Sequence, residues 1–300
     1  SPSSAASDVY KRQVLQDVKL PDMYLIRQHF ERDGIDDVAA YLREKLARED
    51  LRARIKPGMR VVLTGSSRQV ANMPVILREV AAFVKEQGAQ PYIIPAMGSH
   101  GGATAQGQTQ ILADYGITEE NMGCPIKSSM ETVQIGLSGI RKQPVYIDKY
   151  ASEADGILLY NRVKPHTSFR GRYESGLMKM MAIGLGKQHG AESIHHQSPA
   201  IMHELVEEYG RTILENCPIL GGIAVIENAY DETYLIKGLT PDEIITEEPK
   251  LRDKSYETIA HLLFDKCDVL VAMNAAALKT QYKFCLLYTS PSPRDISGSR

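Results

Sequence analysis

Two histidines stand out because each closes an apolar run. His100 lies in Gly98-Ser99-His100-Gly101-Gly102, one imidazole among three glycines, directly after Pro91–Pro95 (PYIIP). Glycine lets a backbone turn sharply and approach a ligand closely. An imidazole at such a turn can exchange protons near neutral pH or bind a metal. A surface histidine in a turn accounts for the same letters, so this loop alone decides nothing. Neither a G-x-G-x-x-G fingerprint nor a P-loop is present, which leaves a standard dinucleotide or ATP site without support.

The second histidine opens a denser stretch, KPHTSFRGRYESGLMKM, in which His166 is followed by Arg170, Arg172, Glu174 and Lys179. Lys179 is flanked by Met178 and Met180 within the apolar run GLMKMMAIGLG. A lysine there commonly snorkels from a core helix. Desolvation would instead lower its pKa and free the amine for covalent chemistry. His189, His195 and His196 follow, and the His195-His196 pair reads either as a solvated helix face or as a neutral metal ligand. His203-Glu204 begins like H-E-x-x-H but does not complete it. Arg68 ends a third polar loop, Gly65-Ser66-Ser67-Arg68, again after an apolar run, Met59–Thr64 (MRVVLT).

The elements that must position these loops follow from hydrophobic period. Asp33–Glu49 and Met73–Gln87 place apolar residues near every third or fourth position and read as helices, the second with Gly88 as its stop. Met59–Thr64, Pro91–Pro95 and Gly156–Tyr160 (GILLY) are short, largely apolar runs of buried-strand length. Thr104–Tyr115, Gly176–Ile183 and Pro199–Asn216 read as helices. Val145–Ile147, Gly221–Glu227 and Asp268–Ala272 read as further strands. This alternation predicts an α/β fold, a three-layer Rossmann-like domain with a mainly parallel sheet. In such sheets ligands bind beyond the carboxyl ends of the strands, where the polar loops fall.

Composition narrows the class. With 43% hydrophobic and 24% charged residues and a net charge of −2, the chain is neither a disordered tail nor a strongly basic nucleic-acid binder. No run approaches the roughly 20 apolar residues of a membrane helix. Four scattered cysteines form no C-x-x-C pair, which predicts a reduced, cytoplasmic setting. The two ends are exceptional. DVYKRQ near the start and CLLYTS near the finish can be encoded by reverse-complementary DNA, and both resemble translated sequencing-adapter arms. Residues 1–13 and 285–300 are therefore expected to be adapter-derived, leaving 14–284 as a truncated α/β domain.

Taken together, GSSRQVANMP, PAMGSHGGATAQGQ, NRVKPHTSFRGRYESGLMKMMAIGLGK and ENAYDE resemble the nickel-pincer lactate racemase family and its 2-hydroxy-acid racemase and epimerase relatives, over roughly Met59 to Val271. The resemblance implies an N-terminal α/β domain, a C-terminal partner domain missing from this chain, and an active site between them. It implies a small 2-hydroxy acid as substrate, no nucleic acid or membrane partner, and a cofactor, the pyridinium-3-thioamide-5-thiocarboxylic acid mononucleotide with nickel, tethered through a lysine. By residue, His100 and His166 resemble the catalytic histidines. Lys179, within SGLMK, resembles the tethering lysine, with Lys187 as the fallback. His195 resembles the nickel ligand, with His196 its alternative. Arg68, Ser99 and Gly101 fall at cofactor-binding positions, Arg68 orienting substrate or phosphate. Gly65 stands where the family has an acidic residue, a departure that bears on lactate itself as substrate. Two other readings remain open: a zinc hydrolase using His100, His166 and His195, and a noncatalytic α/β module that binds a phosphate ligand.

Overall fold

The computed structural model describes Asp22 and residues 24–263. Both adapter-like ends and the expected strand Asp268–Ala272 lie outside the described residues.

Strands β1 (Arg60–Gly65) and β2 (Gln90–Pro95) pair in parallel, from Arg60 opposite Gln90 to Gly65 opposite Pro95. The helix Met73–Glu86 connects them, as its period predicts. Pro74 sits in its first turn, where a missing N–H costs nothing, and Gly88, at φ +78°, follows its end. The two-stranded antiparallel sheet of β3 (Thr132–Leu137) and β4 (Pro144–Asp148) comes next. Strand β5 (Gly156–Arg162) then pairs in parallel with the other side of β1. Strand β6 (Ile219–Glu227) extends the sheet in parallel, and β7 (Thr233–Leu239) closes it antiparallel, giving the order β2-β1-β5-β6-β7.

Side chains alternate across a strand, so a buried parallel strand feeds two cores. Val61 and Leu63 join Met73, Ile76, Leu77 and Val80 on one face, with Leu158, Tyr160 and Ile223 beside them. Val62, Ile157 and Leu159 face the other way, into a core with Met178, Met181, Leu205 and Tyr209. Three layers result, as the alternation of elements predicts. Two strands escaped that prediction, β3 and the antiparallel β7. The helix expected over Gly176–Ile183 also divides: α-helix covers Gly176–Lys179, and a π-helical turn takes over at Met180–Leu185 before the helix Lys187–His195.

Because β1, β2, β5 and β6 run parallel, their carboxyl ends share one edge. The chain leaves β1 toward β2 and returns on β1's other side as β5. That reversal opens a crevice at the edge between neighbouring strand ends.

Candidate functional site

All three sequence-predicted loops emerge at this edge. Gly65 ends β1 and leads to Arg68, whose carbonyl accepts a bond from the Ser66 hydroxyl at 3.1 Å. Tyr115 donates to the Ser67 carbonyl at 3.1 Å, fixing the loop and leaving Arg68 exposed. Pro95 ends β2 and leads to His100. The Gln108 side-chain amide donates to the carbonyls of Gly98 at 2.9 Å and His100 at 3.2 Å. Gly101 has φ +67°, and a Cβ there would sit 2.7 Å from the Gln108 nitrogen, so the turn admits only glycine. Ser99, His100, Gly101, Ile111 and His195 line one cavity of about 620 Å³. His195, at the end of the Lys187–His195 helix, thus meets the His100 loop from the opposite side.

The third loop follows β5. Glu174, fully buried, accepts N–H bonds from His166 at 2.8 Å and Gly171 at 3.2 Å, and the Tyr256 hydroxyl donates to both of its oxygens. The imidazole of His166 stacks on Phe169 at 4.0 Å, and the ammonium of Lys179 lies 5.3 Å from the same ring's centre. Ser168 N–H donates to Nδ1 of His166 at 3.1 Å, which assigns the proton of the neutral ring to Nε2.

Positive charge accumulates here. Burial, then the charges of Lys179, Lys164, Arg170 and His195, push His166 down to about 3, so it is neutral at physiological pH. Burial, with Arg68 and Lys164 outweighing Glu174, lowers Lys179 to about 7. Lys164 falls to about 8 through burial and the charges of Arg162 and Arg68. A cluster of this kind, in which cations depress one another, is set up for an anionic ligand or for amine chemistry near neutrality.

Lys179 is held in place by a partner far along the chain. Buried Glu248 accepts N–H bonds from Leu177 at 2.6 Å and Met178 at 3.2 Å, in the first turn of the lysine's helix. Gly176, at φ +77°, lets the carboxylate approach: a Cβ there would stand 2.7 Å from the Glu248 carboxyl carbon. The arrangement costs stability. The folded-state pKa of Lys179 lies below that of an unfolded lysine. Its penalty is therefore full below about pH 7, shrinks as pH rises toward the ordinary lysine value, and vanishes above it. Lys179→Met is expected to raise stability at pH 7 by about 1–2 kcal/mol, with the gain narrowing between pH 7 and 10. Urea unfolding at both pH values checks this, and a variant less stable than the parent at pH 7 contradicts it.

Lys187, the fallback tether, is elsewhere: it is wholly buried and paired with Asp148 at 3.0 Å. His196 is exposed and absent from the cavity wall that holds His195. His189 bonds Thr132 at 2.7 Å, His203 lies 3.9 Å from Glu204, and His261 packs edge-on to Phe30, each with a local role. Among the described residues no group of three or more His, Cys, Asp or Glu is arranged to hold a metal ion, so the three-histidine zinc site is not assembled. No helix among them is long and apolar enough to cross a membrane. Sequence reading singled out Glu174 but missed Lys164, Gln108, Glu248 and Tyr256. Lys164 alone left a local signal, two residues before His166 in the same loop.

A mainly parallel α/β sheet with histidines, lysines and an arginine at its carboxyl edge defines a Rossmann-like domain. Residues 13–207 match the lactate racemase N-terminal domain, and the chain belongs to that family. Its fold is similar to that of the lactate racemase apoprotein from Thermoanaerobacterium thermosaccharolyticum, with a TM-score of 0.54 and 11% identity, covering 71% of this chain and 54% of that one. The chain thus spans about half the length of that racemase. No curated protein matches.

Proposed function

We propose that this chain is the cofactor-bearing half of a 2-hydroxy-acid racemase or epimerase, acting with a C-terminal domain and soluble in the cytoplasm. The observation that carries the reading is the convergence at one sheet edge of Arg68, Lys164, His166 and Lys179 with the cavity of His100 and His195. These residues fit a nickel-pincer nucleotide. Arg68 and Lys164 supply charge for a phosphate or carboxylate, Ser99 and Gly101 offer a close-approach backbone, and His195 offers an imidazole to the metal. The Lys179 amine, half-neutral near pH 7, suits a covalent tether.

When bound, that cofactor supplies hydride acceptance and return at the substrate's α-carbon. The chain's own residues handle protons and charge. His100 removes the hydroxyl proton of the 2-hydroxy acid, and Arg68 orients the carboxylate. Neutral His166 offers a hydrogen bond from Nε2 to the substrate oxygen; to return a proton there it must first take one up at Nδ1, since donation from the neutral ring would leave an imidazolate. For the opposite enantiomer the roles exchange, which requires the His166 ring to give up its Ser168 contact or to turn over. The missing acidic group at Gly65 directs the search beyond lactate. Enantiopure 2-hydroxy acids of graded side-chain size, offered to the cofactor-loaded protein with its C-terminal domain, are expected to lose optical purity for at least one size class. Chiral chromatography reads the result, and unchanged enantiomers throughout contradict the proposal.

A further inference from the structure

We infer that Lys187 is a positioning residue whose buried side chain ties the His100 loop to the His195 helix and so sets the spacing of the two imidazoles across their cavity. The cavity's role rests on the function proposed above; the tie itself rests on contacts. Nζ of Lys187 donates to Oε1 of Gln108 at 3.0 Å and to the carbonyl of Pro95, and it pairs in charge with a carboxylate oxygen of Asp148 at 3.0 Å. The pair has no solvent exposure, and the Asp148 carboxyl group is itself fixed by the backbone N–H groups of Tyr150 at 2.7 Å and Ala151 at 3.2 Å.

The arms of this network reach both walls of the cavity. Gln108, held through Oε1 by Lys187, uses its Nε2 on the carbonyls of Gly98 and His100. Pro95, at the end of β2, is the residue from which the same loop departs. On the other side, Lys187 is the first residue of the helix that ends in His195, just over two turns away. Its backbone adopts φ +52°, a left-handed conformation unfavourable for any residue with a Cβ. That bend separates the π-helical turn from the His195 helix, and the locked side chain holds it. Glycine at this position would accept the bend more easily but would have no side chain to reach Asp148, Pro95 and Gln108. Lysine at a strained turn is thus explained by the partners it reaches. Direct packing adds to the tie: Gly98 donates to the Gly184 carbonyl at 3.3 Å, and a Cβ on Gly98 would already lie 3.3 Å from that of Ala191.

The test is a spectrum of the eight histidines in the full chain, with imidazole carbons labelled and signals assigned by single histidine substitutions. Neither cofactor nor substrate is required, so the outcome is independent of whether the racemase reading stands. A double variant, Lys187→Met with Asp148→Asn, removes both charges together and avoids stranding a buried carboxylate. In it the His100 and His195 signals are expected to move beyond their line widths, while those of His203 and His261 stay. Gln108→Met severs only the loop arm and is expected to move His100 while leaving His195. Unchanged His100 and His195 in the folded double variant overturn the inference, as does an equal displacement of all eight. If the double variant does not fold, Gln108→Met carries the test, and an unmoved His100 there overturns it.

Discussion

In the cofactor-loaded protein with its C-terminal domain, His100→Ala and His166→Ala are each expected to slow racemisation by about 10²–10⁴-fold in both directions. Each turnover needs one group to take the hydroxyl proton and another to return it, so losing either stalls both enantiomers. The structure adds a difference between the two. His166 sits over Phe169 with its backbone held by Glu174, and its pKa near 3 keeps it neutral across the working range. In the direction in which His166 takes the hydroxyl proton, activity is therefore not expected to fall through its protonation until far below neutral pH. His195→Ala is expected to act differently, through weaker retention of nickel. Racemisation measured on folded, nickel-loaded variants, with circular dichroism and metal content as controls, separates these effects. Near-normal turnover after either of the first two substitutions removes that histidine from the chemistry.

Covalent attachment is expected to be lost entirely in Lys179→Ala. The amine stands beside Phe169, Arg68 and Lys164, with a pKa of about 7 set mainly by burial. Attachment should thus accelerate up to about pH 7 and level off above it, rather than climbing toward the ordinary lysine value. Lys187 offers no competing nucleophile, because its nitrogen is buried among Asp148, Gln108 and Pro95. Intact-protein mass spectrometry after loading reads the adduct directly. An adduct of unchanged mass in Lys179→Ala would falsify the assignment.

The sequence carries the sheet's core clearly because its strands are buried on both faces. MRVVLT, PYIIP and GILLY are largely apolar runs, and each delivers a polar loop at its carboxyl end. The strands β3 and β7 lie at or outside the sheet's margin, where Val133, Gln134 and Leu137 are exposed and no continuous apolar run is needed. The two lysines illustrate a different limit. In an uninterrupted α-helix, positions eight apart fall within about 80° of each other, so Lys179 and Lys187 look equivalent in the primary structure. The π-helical turn and the φ of +52° at Lys187 break that phase, sending one lysine to the cationic edge and the other into the core. Glu248 and Tyr256 acquire meaning only through contacts across the chain, Tyr256 on Glu174 and Glu248 on Leu177. No local pattern announces them, and Tyr256 and Glu248 lie beyond the segment that matches the family.

In the proposed function, hydride transfer at the α-carbon of a 2-hydroxy acid leaves His100 and His166 to move only the hydroxyl proton. Hydride moved to and from a cofactor never mixes with solvent, whereas a proton abstracted from carbon exchanges with it. The decisive measurement is racemisation of an enantiopure 2-hydroxy acid in D₂O by the loaded protein, followed by NMR of both enantiomers at C2. Full retention of the original hydrogen in the inverted product is the predicted result; deuterium at C2, accumulating in step with inversion, would contradict it.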